Sequence, residues 1–252
     1  MDVKFAEYYD LLTKHKDYKK ECDFIETVLS KFLKKPPNKI LDVGCGTGTH
    51  AIELAKRGYK VFAFDVAKPM VEIAIKKYKQ NTVLFSHTDI TNYRGKKFDA
   101  VISMFNTIGY FSGFLDFVIF LKNVRSTMSD QGILIFDCWN GLAVTKIRPS
   151  SRLLILDTER GKIYRFVEPK LNIIEQKTML KYFCLVVKKK QVVDEFNSTH
   201  NIKFYTPDQI KSALDSSGFN ILQSCASFNL EKEITEEEWT VTYITTPRRV
   251  HK

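Results

Sequence analysis

The chain has 252 residues, 44% of them hydrophobic and 27% charged, an ordinary globular composition for one large domain or two unequal ones. Thirty-nine Lys and Arg against 29 Asp and Glu give a formal net charge of +10. The positive charge is spread evenly along the chain, so it does not favour nucleic acid as a partner. At most, the charge favours a ligand that carries a phosphate. The opening residues predict no secretory signal, and no apolar run approaches the roughly 18 residues of a membrane span. Five scattered cysteines without a CxxC pair predict reduced thiols in a cytoplasmic protein, with no metal site.

Apolar residues at helical spacing predict a helix over the first 35 residues, which Pro36-Pro37 ends. Short apolar strands then alternate with helices. We predict helices at residues 51–57, 69–78 and 114–128, and strands at residues 39–43, 60–65, 82–86, 100–104 and 133–136. Continuous apolar strands separated by helices indicate a parallel sheet that is covered on both faces.

The pattern changes between residues 145 and 204, which are rich in β-branched and aromatic residues and in part alternate between apolar and polar side chains. Four strands, at residues 152–157, 162–167, 176–187 and 192–204, predict an antiparallel meander with residues 188–191 at a solvated hairpin tip. A helix at residues 206–214 and strands at residues 220–227 and 239–245 then resume the first pattern. We predict an α/β domain, residues 1–144 and 205–252, with a doubly wound, mostly parallel seven-stranded sheet. Residues 145–204 form an antiparallel β insertion, a substrate lid or a dimer surface.

The sharpest motif is a glycine-rich turn, residues 44–48, which follows a buried strand and opens a helix. Glycine there lets the backbone pass close to a ligand without a Cβ in the way. Asp65 ends the next strand, where a carboxylate can accept hydrogen bonds from both ribose hydroxyls of a nucleoside. The spacing is G-x-G-x-G, and Asp42 stands two residues before the first glycine. Both features differ from the G-x-G-x-x-G pattern of dinucleotide-binding folds.

Residues 41–48, Leu-Asp-Val-Gly-Cys-Gly-Thr-Gly, resemble motif I of the class I S-adenosylmethionine-dependent methyltransferases. Residues 64–65, 88–90, 98–103 and 132–136 resemble later motifs of that family. The resemblance implies a Rossmann-like methyltransferase fold and the cofactor S-adenosyl-L-methionine. It also implies that Asp89 meets the adenine amino group and that a tyrosine near the amino terminus closes over the cofactor. The implied cofactor-binding residues are Tyr9, Asp42, Gly44, Cys45, Gly46, Gly48, Asp65, Val66, Met70, Asp89, Ile90 and Met104.

A narrower resemblance covers nearly the whole chain. Residues 104–110, the β insertion and residues 200–206 are similar to enzymes that N-methylate amino sugars on nucleotide carriers. Those enzymes carry an arginine near the last strand, whereas residues 236–239 here are Glu-Glu-Glu-Trp, so phosphate recognition by that route is in doubt. No Asn/Asp-Pro-Pro-Tyr follows the fourth strand and no Pro-Cys nucleophile is present, which argues against methylation of adenine or glutamine amino groups and of cytosine C5.

The acceptor pocket is expected beyond the carboxyl ends of the strands. Its predicted substrate-binding residues are Asn106, Tyr110, Trp139 and His200, and Tyr110 and His200 are also the candidates for catalysis. Each has a structural alternative: capping of the loop backbone for Asn106, packing for Tyr110 and hydrogen bonding within a strand for His200. His50 is expected to pack.

These observations predict methyl transfer to nitrogen or oxygen of a small polar acceptor, for which a nucleotide-linked sugar is one candidate. We expect no metal and no membrane partner, and a homodimer through the β insertion is a further expectation. An RNA-directed methyltransferase and a non-catalytic regulatory protein that binds the cofactor are the alternatives.

Overall fold

The computed structural model describes residues 2–95 and 97–248. Its helices are α1 (Val3–Leu12), α2 (Tyr18–Phe32), α3 (Thr49–Lys56), α4 (Lys68–Lys77), α5 (Phe114–Thr127), α6 (Gly141–Ile147) and α7 (Pro207–Ser216). Its strands are β1 (Ile40–Val43), β2 (Val61–Asp65), β3 (Val83–His87), β4 (Phe98–Ser103), β5 (Met128–Trp139), β6 (Arg152–Thr158), β7 (Gly161–Asn172), β8 (Lys177–Lys188), β9 (Gln191–Lys203), β10 (Phe219–Ala226) and β11 (Thr240–Pro247). Short 3-10 turns lie at Ile90–Asn92 and Thr107–Tyr110.

The main sheet has seven strands in the order β10-β11-β5-β4-β1-β2-β3. Strands β1 to β5 are parallel, whereas β11 runs antiparallel to both β5 and β10. The chain leaves β3 at one edge and returns as β4 on the other side of β1, so the strand order reverses between β1 and β4. The predicted doubly wound, mostly parallel seven-stranded sheet is confirmed.

Neighbouring residues of the central strands face two different cores. Leu41 and Val101 pack on one face of the sheet with Phe117 of α5. Ile40 and Ile102 pack on the other face with α2 and α3. Because both faces are covered, successive residues of a strand are buried, which explains why these strands are continuously apolar.

The prediction of one helix over the first 35 residues is wrong, because the segment forms two helices, α1 and α2. The break lies at residues 13–17. Asp17 begins the second helix, since its side chain accepts a hydrogen bond from the backbone N–H of Lys20 at 3.0 Å. Such a cap satisfies one of the free N–H groups of a helix start and favours a new helix at that residue.

Strands β6 to β9 form a separate four-stranded antiparallel sheet in simple sequential order. The antiparallel meander is therefore confirmed. Helix α6 crosses the boundary predicted at residue 145, and the sheet begins at Arg152. The division into residues 1–144 with 205–252 and residues 145–204 stays a prediction.

In the part of the chain that the structure describes, no helix combines the length and the apolar character that crossing a bilayer requires. All five cysteines are buried and unpaired.

Candidate active site

A cavity of about 860 Å³ lies at the carboxyl ends of β1 and β4, where the strand order reverses. Ligands of doubly wound sheets bind at this position, and the volume falls in the ordinary range for small-molecule sites. The loop after β1 and the turn after β4 form part of the wall. Helix α1, the β insertion and the ends of β2 and β5 form most of the rest.

The loop between β1 and α3 is held open by three glycines in the left-handed conformation. Gly44, Gly46 and Gly48 have φ of +76°, +55° and +75°, which side chains rarely adopt. A Cβ on Gly44 would collide with the side chain of Thr107, so the turn after β4 can approach so closely only to a glycine. A Cβ on Gly46 would meet no atom within 4 Å. The space beside Gly46 is therefore a cradle that a bound ligand can fill.

Asp65 lies beside this cradle at the end of β2. Its carboxylate accepts hydrogen bonds from the backbone N–H groups of Gly46 and Ala67, each at 2.7 Å. Burial nevertheless raises the pKa of Asp65. The two backbone bonds fix the carboxylate in the cavity wall, next to the loop, as a nucleoside-binding acid requires.

Asp42 is a second acid of the cavity wall, and it is almost fully buried in β1. Burial and the negative charge of Asp65 raise the pKa of Asp42 to about 8. Its Oδ2 atom has no hydrogen-bond partner among the described residues. Since a buried unpartnered oxygen is costly, this atom suits a ligand that carries a donor or a positive charge. S-adenosylmethionine has a cationic sulfur and an amino group, so the residues present fit it.

Helix α1 connects the loop to the insertion. Asp10 accepts a hydrogen bond from the Thr47 hydroxyl at 2.5 Å. On the insertion side, the Tyr8 hydroxyl donates to Asp194 of β9 at 3.0 Å. Tyr9 lies in the cavity wall, and burial raises its pKa well above the ordinary value. The helix therefore crosses the cavity with a tyrosine facing into it.

Most of the predicted cofactor-binding residues line the cavity: Tyr9, Asp42, Gly44, Cys45, Gly46, Asp65, Val66, Met70 and Met104. Gly48, Asp89 and Ile90 do not. Gly48 is the residue before α3 and faces the Phe85 ring. The Asp89 side chain accepts a hydrogen bond from the Thr91 N–H at 2.8 Å, and Ile90 is buried in the core. The assignment of all twelve residues to the cofactor stays a prediction.

The two candidates for catalysis are hydrogen-bonded to each other across 90 residues of sequence. The Tyr110 hydroxyl lies 2.8 Å from Nδ1 of His200, and the Ser198 hydroxyl lies 2.9 Å from Nε2. Burial lowers the pKa of His200 to about 4, so the ring is neutral at physiological pH. Desolvation by the cavity wall raises the pKa of Tyr110, although about half of the residue, 52%, is exposed to solvent. All three side chains line the cavity.

Asn106 joins the ends of β4 and β5. Its backbone N–H donates to Oδ2 of Asp137 at 3.1 Å, and its side-chain oxygen accepts from the Trp139 N–H at 3.0 Å. The backbone-capping role weighed for Asn106 is thus present, while the residue also lines the cavity. Burial raises the pKa of Asp137 to about 7, and its Oδ1 has no partner among the described residues.

His50 also borders the cavity and is buried, as expected of a packing residue. Its Nε2 lies 2.7 Å from Glu21, which also binds Lys16 at 3.0 Å. Although burial opposes it, the bonds from His50 and Lys16 lower the pKa of Glu21. Within residues 2–95 and 97–248, no group of three or more His, Cys, Asp or Glu side chains is placed to hold a metal ion. The absence of a metal stays a prediction.

Among the wall residues that the sequence reasoning missed are Arg165 of β7 and Tyr182 of β8. The sequence pattern could have identified Arg165. Alternation places Arg165 on the same face of its strand as Ile163 and Val167, so a charged side chain interrupts an apolar row.

Comparison with known proteins agrees with this site. Residues 14–224 match the family model described as a methyltransferase domain. YqeM of Bacillus subtilis, which carries a provisional methyltransferase name, is 27% identical over 230 residues, 89% of this chain and 88% of its own. The dTDP-3-amino-3,6-dideoxy-alpha-D-glucopyranose N,N-dimethyltransferase of Streptomyces fradiae is 23% identical over 239 residues, 86% of this chain and 84% of its own.

Among solved structures, an S-adenosylmethionine-dependent methyltransferase from Clostridium acetobutylicum has a TM-score of 0.82 at 21% identity and covers 98% of each chain. The fold and the site together define a Rossmann-like enzyme that binds S-adenosylmethionine. The chain belongs to the methyltransferase domain family, and it is an S-adenosylmethionine-dependent methyltransferase of class I that resembles the nucleotide-amino-sugar N-methyltransferases.

Proposed function

We propose that this enzyme transfers a methyl group to the amino nitrogen of a small polar acceptor, and that amino sugars carried on a nucleotide are the class to test first. The observation that carries the proposal is the hydrogen-bonded chain Tyr110–His200–Ser198, which shares one cavity with the glycine-rich loop. The name of the Streptomyces fradiae relative supports the acceptor class.

The choice of nitrogen over oxygen rests on how weak a base the Tyr110–His200–Ser198 chain offers. A hydroxyl acceptor must lose its proton as it attacks, which calls for a base whose pKa lies near the operating pH. His200, with a pKa of about 4, accepts a proton poorly, and Tyr110 is a protonated phenol. A neutral amine attacks through its lone pair and loses its proton afterwards. An acceptor held beside this chain is therefore better suited to be an amine.

When bound, S-adenosylmethionine supplies a methyl group on a cationic sulfur that is already activated for attack. The protein has to hold both reactants in line and exclude water, which accounts for most of the rate in such transfers. We assign the ribose to Asp65 and a positively charged group to Asp42, beside the cradle at Gly46. Tyr110 directs the acceptor nitrogen, and its hydrogen bond to His200 keeps the hydroxyl fixed in the wall. Helix α1 covers the reactants.

We propose that the β insertion serves as the outer wall of the acceptor pocket, since Arg165, Leu180, Tyr182 and His200 of its strands line the cavity. Its other face carries exposed apolar side chains at paired positions, Leu153, Phe166 and Phe183. The homodimer through the insertion stays a prediction. It is tested by the mass of the particle in solution, where Phe183→Glu should convert a dimer into a monomer.

The acceptor is tested by methyl transfer from labelled cofactor to dTDP-linked amino sugars, to the matching sugars with a hydroxyl in place of the amine, and to bulk tRNA. We expect transfer to the amine, with Tyr110→Phe lowering kcat at least tenfold and Tyr164→Phe, a tyrosine of β7 outside the cavity, leaving it unchanged. Transfer to the hydroxyl sugar alone would overturn the choice of nitrogen. Transfer to tRNA alone would replace the small acceptor with RNA.

A further inference from the structure

Arg165 is a cation inside the cavity wall without a counter-ion. It lies in the middle of β7, paired with Leu154 on β6 and Cys184 on β8. One nitrogen of its guanidinium donates to the Leu12 carbonyl at 3.2 Å, while Nε is buried and has no partner among the described residues. Among residues 2–95 and 97–248, no carboxylate forms an ion pair with Arg165. Burial of an unpaired charge is costly, so a position that keeps one calls for an explanation.

Among the described residues the cavity wall carries four carboxyl groups and one guanidinium: those of Asp2, Asp42, Asp65 and Asp137, and that of Arg165. Arg165 is the one Lys or Arg side chain in the wall formed by the described residues. Acids line the glycine-rich loop, where Asp42 and Asp65 suit a cationic cofactor. The positive charge of Arg152, on the neighbouring strand β6, reaches Arg165 and adds to the positive field on the insertion side. The cavity therefore offers carboxyl groups to the cofactor beside the loop, and one positive charge, that of Arg165, to whatever binds beside the insertion.

We propose that Arg165 binds an oxyanion of the methyl acceptor, a phosphate or a carboxylate, and that Tyr182 donates a hydrogen bond to the same group. This inference rests on the proposed function, because it assumes that the acceptor occupies the cavity beside the insertion. The planar guanidinium carries five donors in a fork that matches either oxyanion. The Tyr182 ring lies against the His200 ring, with centroids 5.1 Å apart, so the oxyanion would bind close to the Tyr110–His200 pair.

The competing explanation is structural. Through Leu12, Arg165 contacts the last carbonyl of α1, and a cation at a helix carboxyl end stabilises the helix. A capping role requires only that bond. It predicts a loss of thermal stability when Arg165 is replaced and no change in anion binding.

The test is calorimetric titration of inorganic pyrophosphate, and separately of malonate, into the full chain saturated with S-adenosylhomocysteine. In Arg165→Gln we expect the Kd of the bound anion to rise at least tenfold, with a smaller rise in Arg165→Lys and in Tyr182→Phe. The matched control is Lys162→Gln, which removes the same charge from the same strand but outside the cavity, and should change Kd less than twofold. Melting temperatures of all variants report whether they fold.

Binding of pyrophosphate alone assigns a phosphate to the acceptor, and binding of malonate alone assigns a carboxylate; either supports the proposal. If neither anion binds the wild type, or if Arg165→Gln melts earlier while Kd is unchanged, the proposal is overturned and the capping role explains the residue. The outcome is separate from that of the proposed function. Failure of methyl transfer to every amine would leave the anion titration intact.

Discussion

Asp10 of α1 accepts a hydrogen bond from the hydroxyl of Thr47 at 2.5 Å, and this bond joins the first helix of the chain to the glycine-rich loop. The second Asp10 oxygen pairs with Lys77 of α4 at 2.8 Å. The residue after Thr47 is the last of the three left-handed glycines, so the helix is anchored directly on the loop that forms the cradle. We therefore expect cofactor entry and release to involve movement of α1 away from this anchor.

Replacing Asp10 should therefore speed cofactor release. A hydrogen bond to a charged group contributes about 1.5–3 kcal/mol, and 1.4 kcal/mol corresponds to tenfold. For Asp10→Ala we expect the dissociation rate of S-adenosylhomocysteine, measured by stopped-flow fluorescence, to rise about tenfold while the association rate changes little. Lys77→Gln removes the ion pair with Asp10 and a bond to the Thr49 hydroxyl. It leaves the Asp10–Thr47 bond in place, so it should have a much smaller effect. Equal release rates in wild type and Asp10→Ala would show that α1 does not retain the cofactor.

Comparing Gly46→Ala with Gly58→Ala should separate two effects of an added methyl group: strain in the backbone, which lowers stability, and filling of the cradle, which weakens cofactor binding. Gly46 and Gly58 both have positive φ, +55° and +98°, and a Cβ would meet no atom at either position. Alanine at either position should therefore cost about 1–2 kcal/mol of stability through strain alone. Only Gly46 lines the cavity, so we expect calorimetry to show at least a tenfold loss of S-adenosylhomocysteine affinity in Gly46→Ala and almost none in Gly58→Ala. A similar affinity in both variants would contradict the cradle.

Cofactor binding should release a proton from Asp42. Because the pKa of Asp42 is raised to about 8, the carboxyl is mostly protonated at pH 7 in the free protein. A cationic ligand beside it favours the ionised form and lowers that pKa. Calorimetric enthalpies of S-adenosylmethionine binding in buffers of different ionisation enthalpy should therefore show the release of about one proton at pH 7.

The Asp42→Asn variant is the control for that proton. It should bind S-adenosylmethionine more weakly, and its enthalpy should depend less on the buffer. The variant should also be more stable than the wild type at alkaline pH. The raised pKa makes the wild-type fold lose stability progressively from about pH 4 to about pH 8, as Asp42 ionises more easily in the unfolded chain than in the fold. An enthalpy that is independent of buffer in the wild type would exclude Asp42 as the source.

A feature of the fold or the site could be predicted when the residues that specify it are close together in the sequence. The glycine-rich loop and Asp65 could be identified because strand, turn and acid follow one another within the 27 residues from 39 to 65. The alternation of strands and helices is also a local pattern. The break between α1 and α2 was missed because the prediction rested on apolar residues between 24 and 33, which lie in α2 and at its carboxyl-terminal cap. Residues 13–17 are all polar, and the capping bond of Asp17 decides the boundary.

The acceptor side depends on pairings that no local pattern encodes. Tyr110 and His200 meet only because β9 packs beside the turn after β4. Ser198, the third residue of the hydrogen-bonded chain Tyr110–His200–Ser198, is positioned by the antiparallel register of β8 and β9. Arg165 becomes a cavity residue only once the sheet face that meets α1 is known. Such contacts are set by tertiary packing, which a single sequence does not specify.

The same packing gives His200 a measurable effect on acid stability. Its pKa is about 4 in the fold, against about 6.5 in an unfolded chain. As pH falls below 6.5 the unfolded chain takes up this proton first, so the fold loses stability between pH 6.5 and 4. From pH 7 to pH 5 this amounts to about 2 kcal/mol. Between pH 6 and 8 the histidine stays neutral, and kcat should show no inflection near 6.5 that depends on it.

Urea denaturation of the wild type and of His200→Asn at pH 7 and pH 5 measures the effect. Asparagine cannot take up the proton, so we expect His200→Asn to lose about 2 kcal/mol less than the wild type between the two pH values. His87→Asn is the matched control, since His87 is an exposed histidine outside the cavity, and it should behave as the wild type does. If His200→Asn and the wild type lose the same free energy on acidification, His200 is not the buried neutral base that the Tyr110–His200–Ser198 chain requires.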